Sequence, residues 1–170
     1  MTINEFFANA AASVALFDAF VAEHRLIDRA AADHICYKCA STESFEAIRA
    51  MFEDESVFIY QSIISKRRIA IIRFRDAVET ALGPIIVLEL SDQKPDGSQT
   101  EGFDHIEIYP KNGSTDELLT ILRSQNSEIE TVSRPHHTTH DLVLEGGFKV
   151  RVEDEPLLEK IKREEICAQR

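Results

Sequence analysis

Tryptophan is absent from this 170-residue chain, cysteine occurs only three times, and basic residues number 19 against 30 acidic ones. Each shortage excludes something. Cys36, Cys39 and Cys167 are an odd number with no spread-out framework, as in proteins that keep free thiols in a reducing compartment rather than a disulfide scaffold. Cys36 and Cys39 match a C-x-x-C spacing, but in the strand inferred there residues three apart point to opposite faces. Neither a zinc knuckle nor a thioredoxin-like role is therefore expected. The net charge of −11 and a sequence pI near 5.0 would repel a polyphosphate backbone, so no nucleic-acid partner is expected. Apolar runs such as Ile85 to Leu88 fall far short of the roughly 20 residues that cross a bilayer. Asn4 and Glu5 stand where a secretory signal would carry positive charge. The expectation is a cytoplasmic protein, monomer or homodimer, with no membrane partner and no nucleotide cofactor.

What the chain does have is a repeat. Asp-His-Ile occurs at Asp33-His34-Ile35 and again at Asp104-His105-Ile106, and each triplet opens a short alternating stretch. Around each copy the same order of elements can be read. Phe6, Phe7, Ala10, Val14, Phe17 and Val21 recur at helical spacing over Ile3 to Glu23, and a short second helical piece is expected over Ile27 to Ala32. His34 to Ala40 alternates as a strand, a helix carries Phe45, Ile48 and Phe52, and strands follow at Val57 to Ser62, Arg68 to Arg75 and Ile85 to Leu90, the first two joined by a turn at Ser65-Lys66. Ser91 to Gly102, with Pro95 and Gly97, reads as a linker loop. The order then recurs: strand His105 to Tyr109, helix Thr115 to Gln125, strands near Ile129 to Val132 and Asp141 to Leu144, a Gly146-Gly147 turn, and a strand Phe148 to Glu153. A helix from Pro156 to Ala168 closes the chain. This is an α+β fold of two fused βαβββ modules, 33–91 and 103–154, forming a curved mixed sheet around a cleft, with a linker at 92–102, a helical N-terminal extension at 1–32 and a C-terminal helix at 155–170.

Strand parity sorts the candidate residues. Alternation puts His34, Cys36 and Lys38 on one face of the first strand, and His105, Glu107 and Tyr109 on one face of its counterpart. Lys149, Arg151 and Glu153 oppose Phe148, Val150 and Val152, and Glu89 interrupts the otherwise apolar Ile-Ile-Val-Leu-Glu-Leu. An isolated buried carboxylate is costly, so Glu89 must be paired, metal-bound or facing a wet cleft. If the first and last strands of the two modules lie side by side, His34, Glu89, His105 and Glu153 converge as two imidazole nitrogens and two carboxylates, a donor set for one divalent ion such as Zn, Mn, Ni or Fe(II). Glu107 is a candidate general base or outer partner, with an ion pair to Arg151 or Lys149 as its alternative. Arg73, Lys149 and Arg151 are candidates to hold an anionic substrate. The tract Pro135-His136-His137-Thr138-Thr139-His140 is read as a loop at the cleft mouth, with His140 a reserve ligand.

These residues resemble the vicinal oxygen chelate superfamily, in which paired βαβββ modules curve around a divalent metal, and within it the YecM-like family. The resemblance rests on the N-terminal helical segment leading into Ala32-Asp33-His34-Ile35 and Cys39, on Ile86-Val87-Leu88-Glu89-Leu90, and on Gly102-Phe103-Asp104-His105-Ile106-Glu107-Ile108. It implies a fold similar to glyoxalase, extradiol dioxygenase and bleomycin-resistance proteins, with His34, Glu89 and His105 on ligand positions. The fourth position departs from the pattern. Against a glyoxalase-type last strand, Arg151 stands where a glutamate is required, and a YecM-like alignment puts Glu153 where a histidine is expected, which speaks against glyoxalase I activity itself.

The function that follows is metal chelation of neighbouring oxygens of a small, possibly anionic substrate, of isomerase, lyase or dioxygenase type. The rival is a non-catalytic small-molecule binding protein of the bleomycin-resistance type. The lack of tryptophan and the few aromatics on the polar strand faces weigh against that rival.

Overall fold

The Thr2 hydroxyl accepts the Glu5 amide, and the Glu5 carboxylate accepts the Thr2 amide at 2.7 Å. This capping box sets the start of α1 (Ile3–His24), which Arg25 ends in the left-handed conformation at φ 54°. The computed structural model describes residues 1–64, 66–125, 127–133 and 138–168. After α1 come β1 (Ala30–Lys38), α2 (Thr42–Met51), β2 (Ser56–Ile64), β3 (Arg67–Val78), β4 (Ile85–Ser91), β5 (Gly102–Pro110), α3 (Thr115–Ser124), β6 (Glu130–Ser133), β7 (Thr138–Val143), a 3-10 turn (Glu145–Gly147), β8 (Lys149–Val152) and α4 (Leu157–Ala168).

All eight strands described form one sheet in the order β2-β3-β4-β1-β5-β8-β7-β6. In each half the first strand runs parallel to the last, β1 beside β4 and β5 beside β8, and the halves join through the antiparallel pair β1 and β5. The fold is thus the expected α+β pair of βαβββ units. Helices α1, α2 and α3 cover one face, where Phe17, Phe45, Leu88, Ile106, Leu122 and Val150 belong to a single buried cluster. The Phe6 ring anchors α1 there, with centroids 5.2 Å from Tyr37 and 5.0 Å from Phe103. The other face carries a smaller cluster of Ile69, Ile71 and Val87, against which Leu157, Leu158 and Ile161 of α4 pack.

Three expectations need correction. Ala30 to Ala32 are strand, not helix: their helical propensity is overridden by pairing with Pro110, Tyr109 and Ile108. Thr138 to His140 belong to β7 rather than to a loop, paired with Ser133, Val132 and Thr131. Ser65 of the expected turn, and Pro135, His136 and His137, lie outside the described residues. The third concerns α1, which has the length and composition of a membrane-spanning helix. Asn9, Ser13 and Asp18 break its apolar runs and so hide that character from a reading of uninterrupted runs. A stripe of Phe6, Ala10, Phe17, Phe20 and Val21 along it is buried in the main cluster of the domain.

Truncating that anchor should be costly. Phe6→Ala is expected to lower unfolding free energy by about 3–5 kcal/mol in urea titration, whereas Val57→Ala on the exposed edge strand should stay within about 0.5 kcal/mol.

Candidate metal centre

Two β-bulges build the centre. Along the β1–β5 pair the register passes from Ala32↔Ile108 to Ile35↔Ile106, so Asp33 and His34 together oppose Glu107. It then passes from Cys36↔His105 to Tyr37↔Phe103, leaving Asp104 as the extra residue on β5. A regular strand would send Asp and the following His to opposite faces; a bulge lets them turn to the same side. Each aspartate consequently holds its neighbour. His34 Nδ1 lies 2.8 Å from Asp33 Oδ2, and His105 Nδ1 lies 2.8 Å from Asp104 Oδ2. This carboxylate–imidazole arrangement fixes the ring and directs Nε2 outward, as in metal-binding histidines. Asp33 is itself held by the amide of Leu157 at 2.9 Å, and Asp104 by Lys38 Nζ at 2.6 Å.

The two rings face each other with centroids 5.7 Å apart. His34 is wholly buried, yet its Nε2 has no hydrogen-bond partner among the described residues. Glu89 Oε2 lies 3.6 Å from that nitrogen, and Glu107 Oε1 lies 3.8 Å from the Nδ1 side of the same ring. His34, His105 and Glu107 present ligand atoms all within 4.8 Å of one another, as do Cys36, Asp104 and His105. Burial opposes charge on His34, but Glu107, Asp33 and Glu89 together outweigh it and raise its pKa to about 9. Burial and the Arg151 guanidinium push His105 the other way, to about 4. Burial raises Glu107 to about 8 in spite of His34. Burial also works against the Glu89 carboxylate, yet His34, His105 and Arg151 hold its pKa below the usual value. A field that keeps a proton on a buried imidazole is also a field that attracts a divalent cation.

The remaining candidates take different places. Arg151 donates through Nε and Nη2 to both oxygens of Asp141, at 2.7 and 2.8 Å, and its Nη1 lies 3.3 Å from His105 Nε2. The donors Arg151 and Lys149 share Asp141, the latter at 3.8 Å. Glu107 is the register partner of Arg151, yet the guanidinium turns to Asp141. Glu89 and Glu153 are both outside these two groups; Glu89 approaches the centre through its 3.6 Å contact with His34 Nε2, whereas the Glu153 carboxylate lies 3.6 Å from Lys160 of α4. His140 pairs in register with Val152 while Asp141 pairs with Arg151, so alternation puts His140 on the face opposite Arg151, where its Nδ1 lies 3.0 Å from Thr131 Oγ1. Arg73 is exposed on β3, two register pairs from the Ile71–Glu89 pair.

Parity alone missed Asp33, Asp104 and Asp141. The first two stood inside the repeated triplet, but strict alternation assigned them to the wrong side. Asp141 gave no signal beyond an acidic residue at a strand start.

The YecM protein family profile matches residues 10–162 of the chain. The structural-genomics protein EC4020 superposes with a TM-score of 0.70 at 20% identity, covering 92% of this chain and 91% of its own. Looser matches include a methylmalonyl-CoA epimerase, at TM-score 0.44 and 10% identity over 74% of this chain and 95% of that one. Glyoxalase I of Leishmania major reaches TM-score 0.31 at 14% identity over 80% and 94%. No curated protein matches the chain.

Removing the counter-ion of a buried guanidinium leaves an uncompensated charge. Asp141→Ala should therefore cost about 3–5 kcal/mol in urea denaturation, and Asp141→Leu/Arg151→Met should restore most of it.

Proposed function

The chain belongs to the YecM protein family, and from the geometry of its centre we propose that it is a divalent-metal protein whose ion is held by His34, Glu89 and His105. The observation that carries this reading is the orphaned Nε2 of fully buried His34, 3.6 Å from a Glu89 oxygen. A buried ring nitrogen left without a partner is expensive, and at Nε2 an ion would take the place of the proton that the surrounding carboxylates favour. The donor chemistry agrees: two imidazoles each steadied by a carboxylate, plus one carboxylate ligand, suit Zn, Mn, Ni or Fe(II) and leave coordination positions for a substrate.

Such an ion supplies a Lewis acid that chelates two neighbouring oxygens of a small molecule and stabilises an oxyanion. The chain's own residues supply the rest. Glu107, which groups with His34 and His105 and lies 3.8 Å from His34 Nδ1, is the candidate to take and return a proton at such an ion. Arg151, kept in the cleft by Asp141, is the group to hold the anionic part of the substrate, with Lys149 next to it. Its Nη1 faces His105 Nε2, so ion binding at His105 requires the guanidinium to pivot about its two bonds to Asp141. Isomerase, lyase and dioxygenase chemistry all begin from this arrangement. Glu153, tied to Lys160, anchors α4 rather than the ion.

Protein purified without a histidine tag should carry about one divalent transition-metal ion per chain by elemental mass spectrometry, and His34→Ala/His105→Ala should lose it. Asp33→Asn should weaken affinity about 10–100-fold, with Glu153→Gln leaving it unchanged. Metal content that survives the double substitution would reject the site.

A further inference from the structure

We propose that Cys36 is a sulfur ligand of this same ion, so that the centre selects a thiophilic cation, zinc above all, over manganese or magnesium; the inference rests on the metal reading above. Cys36 stands at the middle of the site face. Its register partners are Glu89 on β4 and His105 on β5, so the three side chains share that face. Its Sγ lies 3.5 Å from Glu89 Oε1, and the other oxygen of that carboxylate lies 3.6 Å from the unpartnered Nε2 of His34. Cys36, Asp104 and His105 also present ligand atoms within 4.8 Å of one another. The thiol is fully buried and so removed from competing solvent.

The approximate symmetry of the halves explains why a floor residue is needed. Cys36 corresponds to Glu107, each two residues after its histidine, and Glu89 opposite Cys36 corresponds to Arg151 opposite Glu107. The second half therefore has a guanidinium where the first has a carboxylate, and a guanidinium cannot bind a cation. Cys36 provides the missing donor from the other half. On binding, the Sγ–H bond breaks, its proton passes to solvent and the thiolate bonds the ion. Soft sulfur together with imidazole favours zinc and its relatives over hard, oxygen-seeking cations. Cys39 takes no part, because it is buried in the cluster on the helix-covered face.

The test uses the untagged full-length protein loaded with cobalt(II) or zinc. A thiolate-to-cobalt charge-transfer band in the near ultraviolet is expected, lost in Cys36→Ser and retained in Cys39→Ala/Cys167→Ala, where Cys36 is the last cysteine. X-ray absorption of that last variant with zinc should show one sulfur at about 2.3 Å, which decides the matter even if Cys36→Ser does not fold. An ion that binds in a His34- and His105-dependent way with only nitrogen and oxygen neighbours overturns the Cys36 assignment alone. Failure to take up any ion overturns both readings.

Discussion

The antiparallel seam between β1 and β5 is the constraint on which the rest of the structure depends. It joins the two halves into one sheet, and it carries a bulge on each strand at the repeated Asp-His. The bulges satisfy two demands that regular pairing sets against each other. Ile35 and Ile106 must face the helices, where both are buried in the main cluster, while each aspartate must reach the ring beside it. Side-chain period in a strand is two, so a slip of one residue exchanges the faces. Losing either bulge would turn an isoleucine toward the site or a histidine toward the core. Core packing and site geometry are in this sense a single feature, which is why the triplet recurs whole.

The repeat gives two histidines of the same local sequence opposite protonation behaviour. Both are fully buried and both have an aspartate on Nδ1. What separates them is the charge around each ring: Glu107, Asp33 and Glu89 surround His34, while Arg151 lies against His105. Glu89 stands beside the first half's histidine, and Arg151 occupies the equivalent place in the second. One imidazole is therefore raised to about 9 and the other lowered to about 4. The pair combines a strongly cation-seeking position with a neutral ring whose lone pair is available to whatever displaces the guanidinium. A symmetric site would have two like positions; this one has a direction across it.

The sequence made much of this visible and hid the rest for identifiable reasons. Hydrophobic period and turn residues revealed both modules, because strands buried on one face must alternate. Parity placed His34, Cys36, Glu89, His105, Glu107 and Arg151 on the face where the structure has them, since pairing between strands preserves it. It failed where the backbone leaves regular geometry or tertiary context overrides local preference. Bulges at Asp33 and Asp104 break the count of two, and three alanines at 30–32 read as helix until a partner strand claims them. Glu153 satisfied parity but stands beyond the end of β8, where Lys160 of α4 reaches it. A sequence reading of the sheet has no access to a helix that folds back across it.

That helix makes the two halves of the site unlike. Leu157, Leu158 and Ile161 pack on Ile69, Ile71 and Val87, the strand neighbours of Glu89, and the Leu157 amide bonds the aspartate that holds His34. The first half of the site is thus walled by apolar groups, while Arg151 and Lys149 line the second. The complete burial of His34 strengthens each interaction around its ring, because the effective dielectric falls as solvent is excluded.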